Sequence, residues 1–394
     1  MGTTACPNRR SVITVFLVFV LSGLMATAQT PVPWELIPSP PGGLILRVQE
    51  HPTGRLYAIT HTALFLSDNG GTTWTRNTLD LRPQGWNYPV LHIMPDSSLV
   101  ILSKDDVFTS DDRGANWNAK QLSFTLSTYF SCMNTEGLFF ATRIDGTPLM
   151  SADRGQSWTQ LQIDMEPVIG FVALDSGTVI AWNGTQLRRS IDGGATWDEV
   201  EPCVPSLEIH QVLGAARGTL ILSYRDTFSG AFGICHSTDA GEKWSYHGDG
   251  LPEHPGGAVR MGSSTADRIY FVNSNDATIY ESTVRSFRWS ESGTLPFNAV
   301  ESVQGFSSFR VYLAGYSGVY TSRTMGRDWT EANDGIAAFQ PRDVKLVDRN
   351  TMFAWDDHYA IMRSRDGGAT WDRIFNIDAF GRPDAVVIID AQSM

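Results

Sequence analysis

Short apolar runs separated by short polar stretches cover most of the chain. The runs Arg55–Ile59 and Ala63–Leu66 form one closely spaced pair, Arg268–Val272 and Thr278–Tyr280 form another, and a further run such as Leu44–Val48 lies upstream. They are rich in Val, Ile, Tyr and Phe and are bounded by Gly, Asn, Asp and Ser, which is typical of β-strands. No stretch has sustained helical periodicity. The pattern therefore predicts an all-β protein.

An eight-residue polar segment follows each pair of runs and recurs along the chain. Five copies have a Ser, an Asp two residues later, a Gly four later and a Trp seven later: Ser110–Trp117, Ser151–Trp158, Ser190–Trp197, Ser237–Trp244 and Ser364–Trp371. Three copies are degenerate: Ser67–Trp74, Ser282–Trp289 and Ser322–Trp329. Successive tryptophans are 39 to 47 residues apart, at Trp74, Trp117, Trp158, Trp197, Trp244, Trp289, Trp329 and Trp371. Self-similarity at this period indicates a repeat array.

The composition of the segment suits a tight turn between two strands. Ser and Asp side chains accept hydrogen bonds from nearby backbone N–H groups, and Gly adopts positive φ at little cost. The Trp that opens the next strand has a large apolar face to bury against a neighbouring unit. We therefore expect the five motif carboxylates to hold turns rather than to perform chemistry; they are Asp112, Asp153, Asp192, Asp239 and Asp366.

With the strand that begins at the Trp, each period contains four strands, and the chain holds eight complete sets. Four-stranded sheets repeated radially are the blades of a β-propeller. The sequence predicts one propeller of eight antiparallel blades from residue 34 to about residue 375, with seven blades as the alternative. The segment Trp34–Ile37 resembles the strand that follows each turn and is surplus to eight sets. It could close the ring by pairing with the last blade, and Ala385–Ile389 would then be an added strand or a loose end.

The repeated turn resembles the Asp-box, or BNR repeat, over nearly all of the expected mature chain. This superfamily includes sialidases, xyloglucan-degrading glycosidases, the sortilin ectodomain and the photosystem II assembly factor. The spacing near 40 residues is most similar to photosystem II assembly factor-like proteins and to the non-catalytic repeats of secreted bacterial proteins. Sialidases carry a Phe/Tyr-Arg-Ile-Pro tetrapeptide, which this chain lacks. The resemblance implies a propeller, and the missing tetrapeptide disfavours sialidase activity.

Residues 1–28 have the features of a secretory signal peptide. Arg9 and Arg10 precede the 13-residue apolar run Val12–Leu24, and Ala26–Ala28 supplies small residues for cleavage. The run is too short to span a bilayer comfortably. We expect a secreted protein, periplasmic or extracellular, in which residues 29–394 form the propeller as a monomer without membrane association.

The charge of the chain limits the class of partner, and its cysteine content limits the disulfides that it can form. The chain has a net charge of −12, and loss of Arg9 and Arg10 with the signal leaves 28 basic and 42 acidic residues, a net of −14. This excess disfavours nucleic acid, whose phosphates need a basic patch. Three cysteines remain after Cys6 is removed, so at least one stays free. Cys132 and Cys235 lie in strand-like runs, which favours buried, unbridged cysteines. A Cys203–Cys235 bridge is the alternative that export permits.

The sequence contains no motif that is specific for catalysis, and we expect neither a metal nor another cofactor. No histidine pair has metal-ligand spacing, and no nucleophile elbow or phosphate-binding glycine loop is present. In a four-stranded blade, the motif turns share one face with the first turns. The second turns and the blade connections share the other, which we call the second face. By analogy with other propellers, ligands would bind on the second face around the channel.

Second-face loops contain the candidate site residues. For ligand binding these are Trp86, Tyr88, Arg143, Arg225, Arg342 and His358. The candidate catalytic carboxylates are Asp105, Asp145, Asp226 and Asp357. We favour a non-enzymatic scaffold that binds a protein or a polysaccharide. The alternative is a glycoside hydrolase, xyloglucanase-like or sialidase-like, with paired carboxylates on the channel face.

Overall fold

The computed structural model describes residues 42–81, 88–174, 177–252, 259–264, 267–273, 277–295, 300–305, 310–339, 343–348, 350–355 and 360–376. Residues 1–28, Trp34–Ile37 and Ala385–Ile389 lie outside these ranges. Within them the chain forms strands and a single 3₁₀ turn, Ala216–Gly218, with no α-helix. The all-β prediction is confirmed.

The strands follow one another in chain order with short connections. The first seventeen are β1 (Gly42–Gly43), β2 (Arg47–Glu50), β3 (Leu56–Ile59), β4 (Leu64–Ser67), β5 (Thr75–Arg76), β6 (Val90–Ile93), β7 (Leu99–Leu102), β8 (Asp106–Ser110), β9 (Asn118–Gln121), β10 (Leu126–Met133), β11 (Phe139–Arg143), β12 (Pro148–Ser151), β13 (Thr159–Gln160), β14 (Gly170–Ala173), β15 (Val179–Trp182), β16 (Leu187–Ser190) and β17 (Asp198–Val200). The others are β18 (Leu207–Ala215), β19 (Thr219–Asp226), β20 (Phe232–Ser237), β21 (Ser245–Tyr246), β22 (Val259–Ser263), β23 (Arg268–Asn273), β24 (Thr278–Thr283), β25 (Ser290–Thr294), β26 (Val300–Gly305), β27 (Val311–Gly315), β28 (Gly318–Ser322), β29 (Thr330–Glu331), β30 (Ala337–Ala338), β31 (Asp343–Leu346), β32 (Met352–Trp355), β33 (Ala360–Ser364) and β34 (Asp372–Asn376).

Consecutive strands pair antiparallel in sets of four, as the prediction of four-stranded blades requires. Blades 1 to 7 are β2–β5, β6–β9, β10–β13, β14–β17, β18–β21, β22–β25 and β26–β29, and the eighth sheet is β31–β34. Within a blade the second strand is the most buried and the fourth strand the most exposed. In blade 2, every residue of Leu99–Leu102 is fully buried, whereas Asn118–Gln121 is exposed. A continuous apolar run therefore forms a central strand, and a polar run forms the outer one.

The repeated eight-residue turns have one hydrogen-bonding plan, illustrated by Ser190–Trp197. The Ser190 hydroxyl donates to Asp192 (2.8 Å) and accepts from the Gly194 N–H (2.8 Å). Asp192 also accepts from the backbone N–H (2.8 Å) and hydroxyl (2.5 Å) of Thr196. The same Ser–Asp and Asp–backbone bonds occur at Asp112, Asp153, Asp239 and Asp366. All five carboxylates thus hold turns.

The tryptophan after each turn packs toward the preceding blade. Trp244 of blade 5 joins a cluster with Ile180 of blade 4, and Trp289 of blade 6 joins one with Ile221 of blade 5. Trp74 of blade 1 is 4% exposed and packs with residues of blade 7. Its indole N–H donates to the Ala332 carbonyl (2.8 Å). Blade 7 therefore packs against blade 1 in the same way that blade 4 packs against blade 5.

Hydrophobic clusters connect blades 1 to 7 in a closed cycle. Each neighbouring pair shares an apolar cluster, and the last cluster joins Tyr312 and Val319 of blade 7 to Ile45 and Phe65 of blade 1. Strand β1 adds a parallel pairing with β30 across this closure. The cycle thus has seven members, as in the alternative interpretation, although the described residues form eight four-stranded sheets.

The eighth sheet follows the ring in sequence and differs from the seven blades. Its first strand, β31, is mostly exposed, with Leu346 61% exposed, whereas the first strands of the blades are largely covered. A small apolar cluster of Phe339, Ala354, Met362 and Trp371 stabilises this sheet. It is therefore an appended sheet rather than a member of the cycle of contacts.

Cys203 and Cys235 form a disulfide in blade 5, with Cα atoms 6.2 Å apart. Cys132 is free, and its burial raises the pKa of its thiol. The sequence favoured an unbridged Cys235, and the structure corrects this expectation, because the fold brings Cys203 and Cys235 within bridging distance.

Candidate functional site

Six of the ten candidate residues on the second face lie in the described part of the chain. Trp86, Arg342, Asp357 and His358 lie outside it. Asp105 and Asp145 are in the second turns of blades 2 and 3, and Asp226 is the last residue of β19, at the start of the second turn of blade 5. Tyr88 is in the connection between blades 1 and 2, Arg143 ends strand β11, and Arg225 precedes Asp226 in β19.

The three described candidate carboxylates are engaged locally. Asp105 accepts a hydrogen bond from the Thr125 hydroxyl (2.7 Å). Asp145 accepts from the Thr147 N–H (3.0 Å), and Asp226 accepts from the backbone N–H groups of Phe228 (2.9 Å) and Ser229 (2.7 Å). Asp145 and Asp226 therefore hold turns of their own blades, and Asp105 holds the connection between blades 2 and 3.

These bonds affect the protonation of two of the acids. Hydrogen bonds from Thr147 lower the pKa of Asp145, and the backbone N–H of Ser229 lowers that of Asp226. A general acid for glycoside hydrolysis needs a raised pKa so that it stays protonated near neutral pH. The shifts of Asp145 and Asp226 are in the opposite direction.

The two described candidate arginines lie on blades 3 and 5. The Arg143 guanidinium is 5.5 Å from the centre of the Phe124 ring, and its Nε is 3.7 Å from Asp145. Arg225 is exposed and lies opposite Glu208 in the pairing of β18 with β19.

Tyr88, unlike the candidate carboxylates and arginines, lines a small pocket at the centre of the ring. The pocket is lined by residues from blades 1, 2, 3 and 7 and has a volume of about 30 Å³; the lining residues are Leu46, Arg47, Tyr88, Pro89, Val90, Tyr129 and Glu301. The Tyr88 and Tyr129 rings meet edge to face, with centres 5.4 Å apart. Tyr88 also contacts the ring of His61, a second-turn residue of blade 1, at 5.0 Å. The pocket is therefore on the second face.

Local irregularity in β10 positions Tyr129. The pairing of β10 with β11 is interrupted between Ser127 and Cys132, and Thr128 within this bulge donates to the Tyr88 carbonyl (2.5 Å). Bulges bend a strand and redirect its side chains, and they are frequent beside functional sites. This bulge ties the inner strand of blade 3 to the loop that holds Tyr88.

Three charged side chains, those of Arg47, Arg260 and Glu301, lie in or beside the pocket that contains Tyr88. Arg260 of blade 6 donates to Glu301 of blade 7, with Nη2 and Oε2 3.4 Å apart, and Glu301 is 10% exposed. Arg47 of blade 1 is half-buried, and burial lowers the pKa of its guanidinium. In the part of the chain that the structure describes, neither a hydrogen bond nor an ion pair is made by the Arg47 side chain. We call Arg47, Tyr88, Tyr129, Arg260 and Glu301 the channel cluster.

His92, beside the cluster on β6, is neutral at physiological pH. Burial, with a smaller contribution from Arg47, lowers the pKa of His92 to about 3. Its Nε2 is 3.4 Å from the Ser131 hydroxyl, and its ring meets Phe139 edge to face. The net charge of the channel cluster and His92 is therefore +1, from two arginines and one glutamate.

The sequence analysis found Tyr88 but missed the other members of the cluster. A signal was present, because Arg47, Arg260 and Glu301 are charged residues that stand next to a Val in first strands. A charge in such a strand is expensive unless it is paired or faces a cavity. The ring closure that brings blades 7 and 1 together could not be read from local pattern.

The described residues contain neither a side-chain cluster that could hold a metal ion nor a helix that could span a membrane. Among the described residues, no group of three or more His, Cys, Asp or Glu side chains is placed to hold a metal ion. No helix in those ranges is long and apolar enough to cross a bilayer.

Comparison with solved structures gives matches at low sequence identity. A GH74 xyloglucanase from Xanthomonas campestris is 16% identical with a TM-score of 0.58, covering 90% of this chain and 70% of that one. Virginiamycin B lyase from Staphylococcus aureus is 11% identical with a TM-score of 0.57, covering 72% and 96%. The extracellular domain of a putative one component system from B. thetaiotaomicron is 9% identical with a TM-score of 0.56, covering 86% and 48%.

No protein-family model matches the chain, and neither does any curated protein sequence. At identities of 9% to 16%, structural likeness carries information about the fold alone. The four-stranded antiparallel blades and these likenesses together identify the fold as a β-propeller.

Proposed function

We propose that the protein is an exported, non-enzymatic propeller of the Asp-box type that binds a protein or a polysaccharide on its second face. The observation that carries this proposal is the engagement of Asp105, Asp145 and Asp226 in hydrogen bonds that hold turns and a connection between blades. Hydrolysis by paired carboxylates needs one acid held protonated and a second placed across the scissile bond. The lowered pKa values of Asp145 and Asp226 favour binding over this chemistry.

Export is supported by two independent features. The basic start, apolar run and small residues of positions 1–28 are typical of a cleaved signal peptide. The Cys203–Cys235 disulfide suits an oxidising compartment outside the cytoplasm. The ligand would therefore be a component of the cell surface or of the surrounding medium.

The site of binding is proposed from the aromatic lining of the channel mouth. Tyr88, Tyr129 and His61 contact one another there and combine apolar faces with polar groups. Loops on a rigid scaffold commonly carry binding residues, and the second-face loops are held by the ring of blades.

The test uses purified residues 29–394 in two assays. We expect no product from sialosides or β-glucans in a glycosidase panel, but retention of a ligand in a glycan array or in a pull-down from the surface of its own cells. Asp145→Asn and Asp226→Asn should lower the melting temperature without selectively removing binding. Turnover of any glycoside that disappears in either variant, or in Asp105→Asn, with the fold intact would contradict the proposal.

A further inference from the structure

We propose that the channel cluster is a carboxylate subsite that binds the uronate of a sparsely charged acidic polysaccharide, with Arg47 as the anion-binding group. This inference rests on the proposed function and specifies its ligand. Arg47 is half-buried in the pocket, and within the described ranges no acidic side chain is at ion-pair distance from it. A partly buried guanidinium without a counter-ion is unfavourable, so a bound anion would stabilise it.

Glu301 lines the same pocket but is already used by another arginine. Its carboxylate binds Arg260, and the two side chains are 10% and 26% exposed. His92, the titratable group of β6 next to Arg47, is neutral. Burial raises the pKa of Tyr88 above its usual value, so this phenol adds no negative charge near neutral pH. Among the residues that the structure describes, the positive charge of Arg47 therefore has no counter-ion of its own.

The shape and donors of the pocket suit a carboxylate. A guanidinium presents a planar pair of N–H donors that matches the two oxygens of a carboxylate. The centres of water-sized groups have about 30 Å³ of space in the pocket, where one water needs about 10–15 Å³, so a small planar group fits beside Arg47. The sugar ring would lie at the mouth, against the apolar faces of the tyrosines.

The charge of the whole chain restricts the ligand further. A net charge of −12 repels a polyanion, so one uronate among neutral sugars is favoured over a polyuronate. Aromatic side chains at the mouth favour a saccharide, because the C–H faces of a pyranose pack against aromatic rings.

The experiment measures binding of a glucuronate-containing oligosaccharide by isothermal titration calorimetry. The matched control ligand is the same oligosaccharide with its carboxyl group reduced to the alcohol. We expect Arg47→Gln to weaken binding of the acidic form at least tenfold and to leave the reduced form unchanged. Arg47→Lys should be intermediate, because it keeps the charge but loses the bidentate geometry. Arg76→Gln, on the exposed outer strand of blade 1, is the matched control variant and should bind as the wild type does.

Two further measurements distinguish a loss of ligand recognition from a loss of folding in the Arg47→Gln variant. Removal of an uncompensated charge should leave the melting temperature of ligand-free Arg47→Gln unchanged or higher, so lost binding with a maintained fold supports the subsite. In the wild type, a carboxylate bound beside Arg47 should raise the pKa of His92, measured from its imidazole NMR signals. Arg47→Gln should remove this shift.

Three results would overturn the inference. They are equal affinity for the acidic and reduced oligosaccharides, unchanged binding in Arg47→Gln, and tighter binding of an acidic peptide than of the uronate. If glycans or proteins still bind the second face in these cases, the proposed function stands and only the subsite is wrong. If nothing binds, the proposed function fails as well.

Discussion

Trp74→Ala tests the closure of the ring between blades 7 and 1. Trp74 is 4% exposed, packs with residues of both blades, and donates its indole N–H to the Ala332 carbonyl at 2.8 Å. Truncation of a buried Trp to Ala costs about 3–5 kcal/mol in the free energy of unfolding. About 1 kcal/mol of this is the lost hydrogen bond. Trp74→Phe, which keeps an aromatic ring but loses the N–H, should therefore cost about 1–2 kcal/mol.

The assay is equilibrium unfolding in urea, with amide hydrogen exchange to locate the effect. Exchange in Trp74→Ala should accelerate in blades 1 and 7, because their shared cluster loses its largest member. The matched control is Trp355→Ala in the eighth sheet, where Trp355 is 2% exposed. We expect this control to loosen residues 343–376 while protection in blades 1 and 7 is maintained.

The same control variant can refute the seven-blade cycle. If Trp355→Ala opened blades 1 and 7 as strongly as Trp74→Ala does, the eighth sheet would be part of the closed ring. The cycle of seven blades would then be wrong.

Three other predictions concern the turns and the cysteines. Hydrogen bonds, chiefly from the Thr196 side chain, lower the pKa of Asp192 from 3.8 to about 2, so its stabilising effect is present above pH 3.8 and lost as the pH falls toward 2. Acid unfolding of Asp192→Asn should therefore depend less on pH in that window than unfolding of the wild type, and identical slopes would contradict this role. Cys203→Ser opens a loop of 32 residues and should lower the free energy of unfolding by about 3–4 kcal/mol, measured in urea without reductant. Cys132 should stay slow to alkylate in the native protein, because burial raises the pKa of its thiol, and rapid labelling would argue against its burial.

Much of the fold could be predicted because the information is local. Paired apolar runs and the Ser-Asp-Gly-Trp turn specify one sheet at a time, and Asp192 forms the turn bonds expected from its sequence context. How the blades close depends on contacts between Ile45 and Tyr312, which are far apart in sequence. Eight similar repeats could therefore be counted, but the seven-member cycle could not be derived from them.

The candidate site was predictable only in part for the same reason. Tyr88 could be assigned to the second face because its loop position follows from strand order. Arg47 and Glu301 meet in one pocket only after blades 7 and 1 pack together. The second-face acids were reasonable candidates by residue type, but Asx-like turns account for Asp145 and Asp226 as fully as catalysis would.

The parallel pairing of β1 with β30 has a consequence for how the ring could be rearranged. It places the first described residues, Gly42 and Gly43, beside Ala337 and Ala338, and a Cβ on Gly43 would lie 2.3 Å from the Ala338 carbonyl. Each four-stranded blade is made of consecutive strands, so among the described strands the β1–β30 pairing is what joins the two ends of the ring. A circular permutant opened between two other blades, with the original ends joined, would therefore keep every four-stranded blade whole.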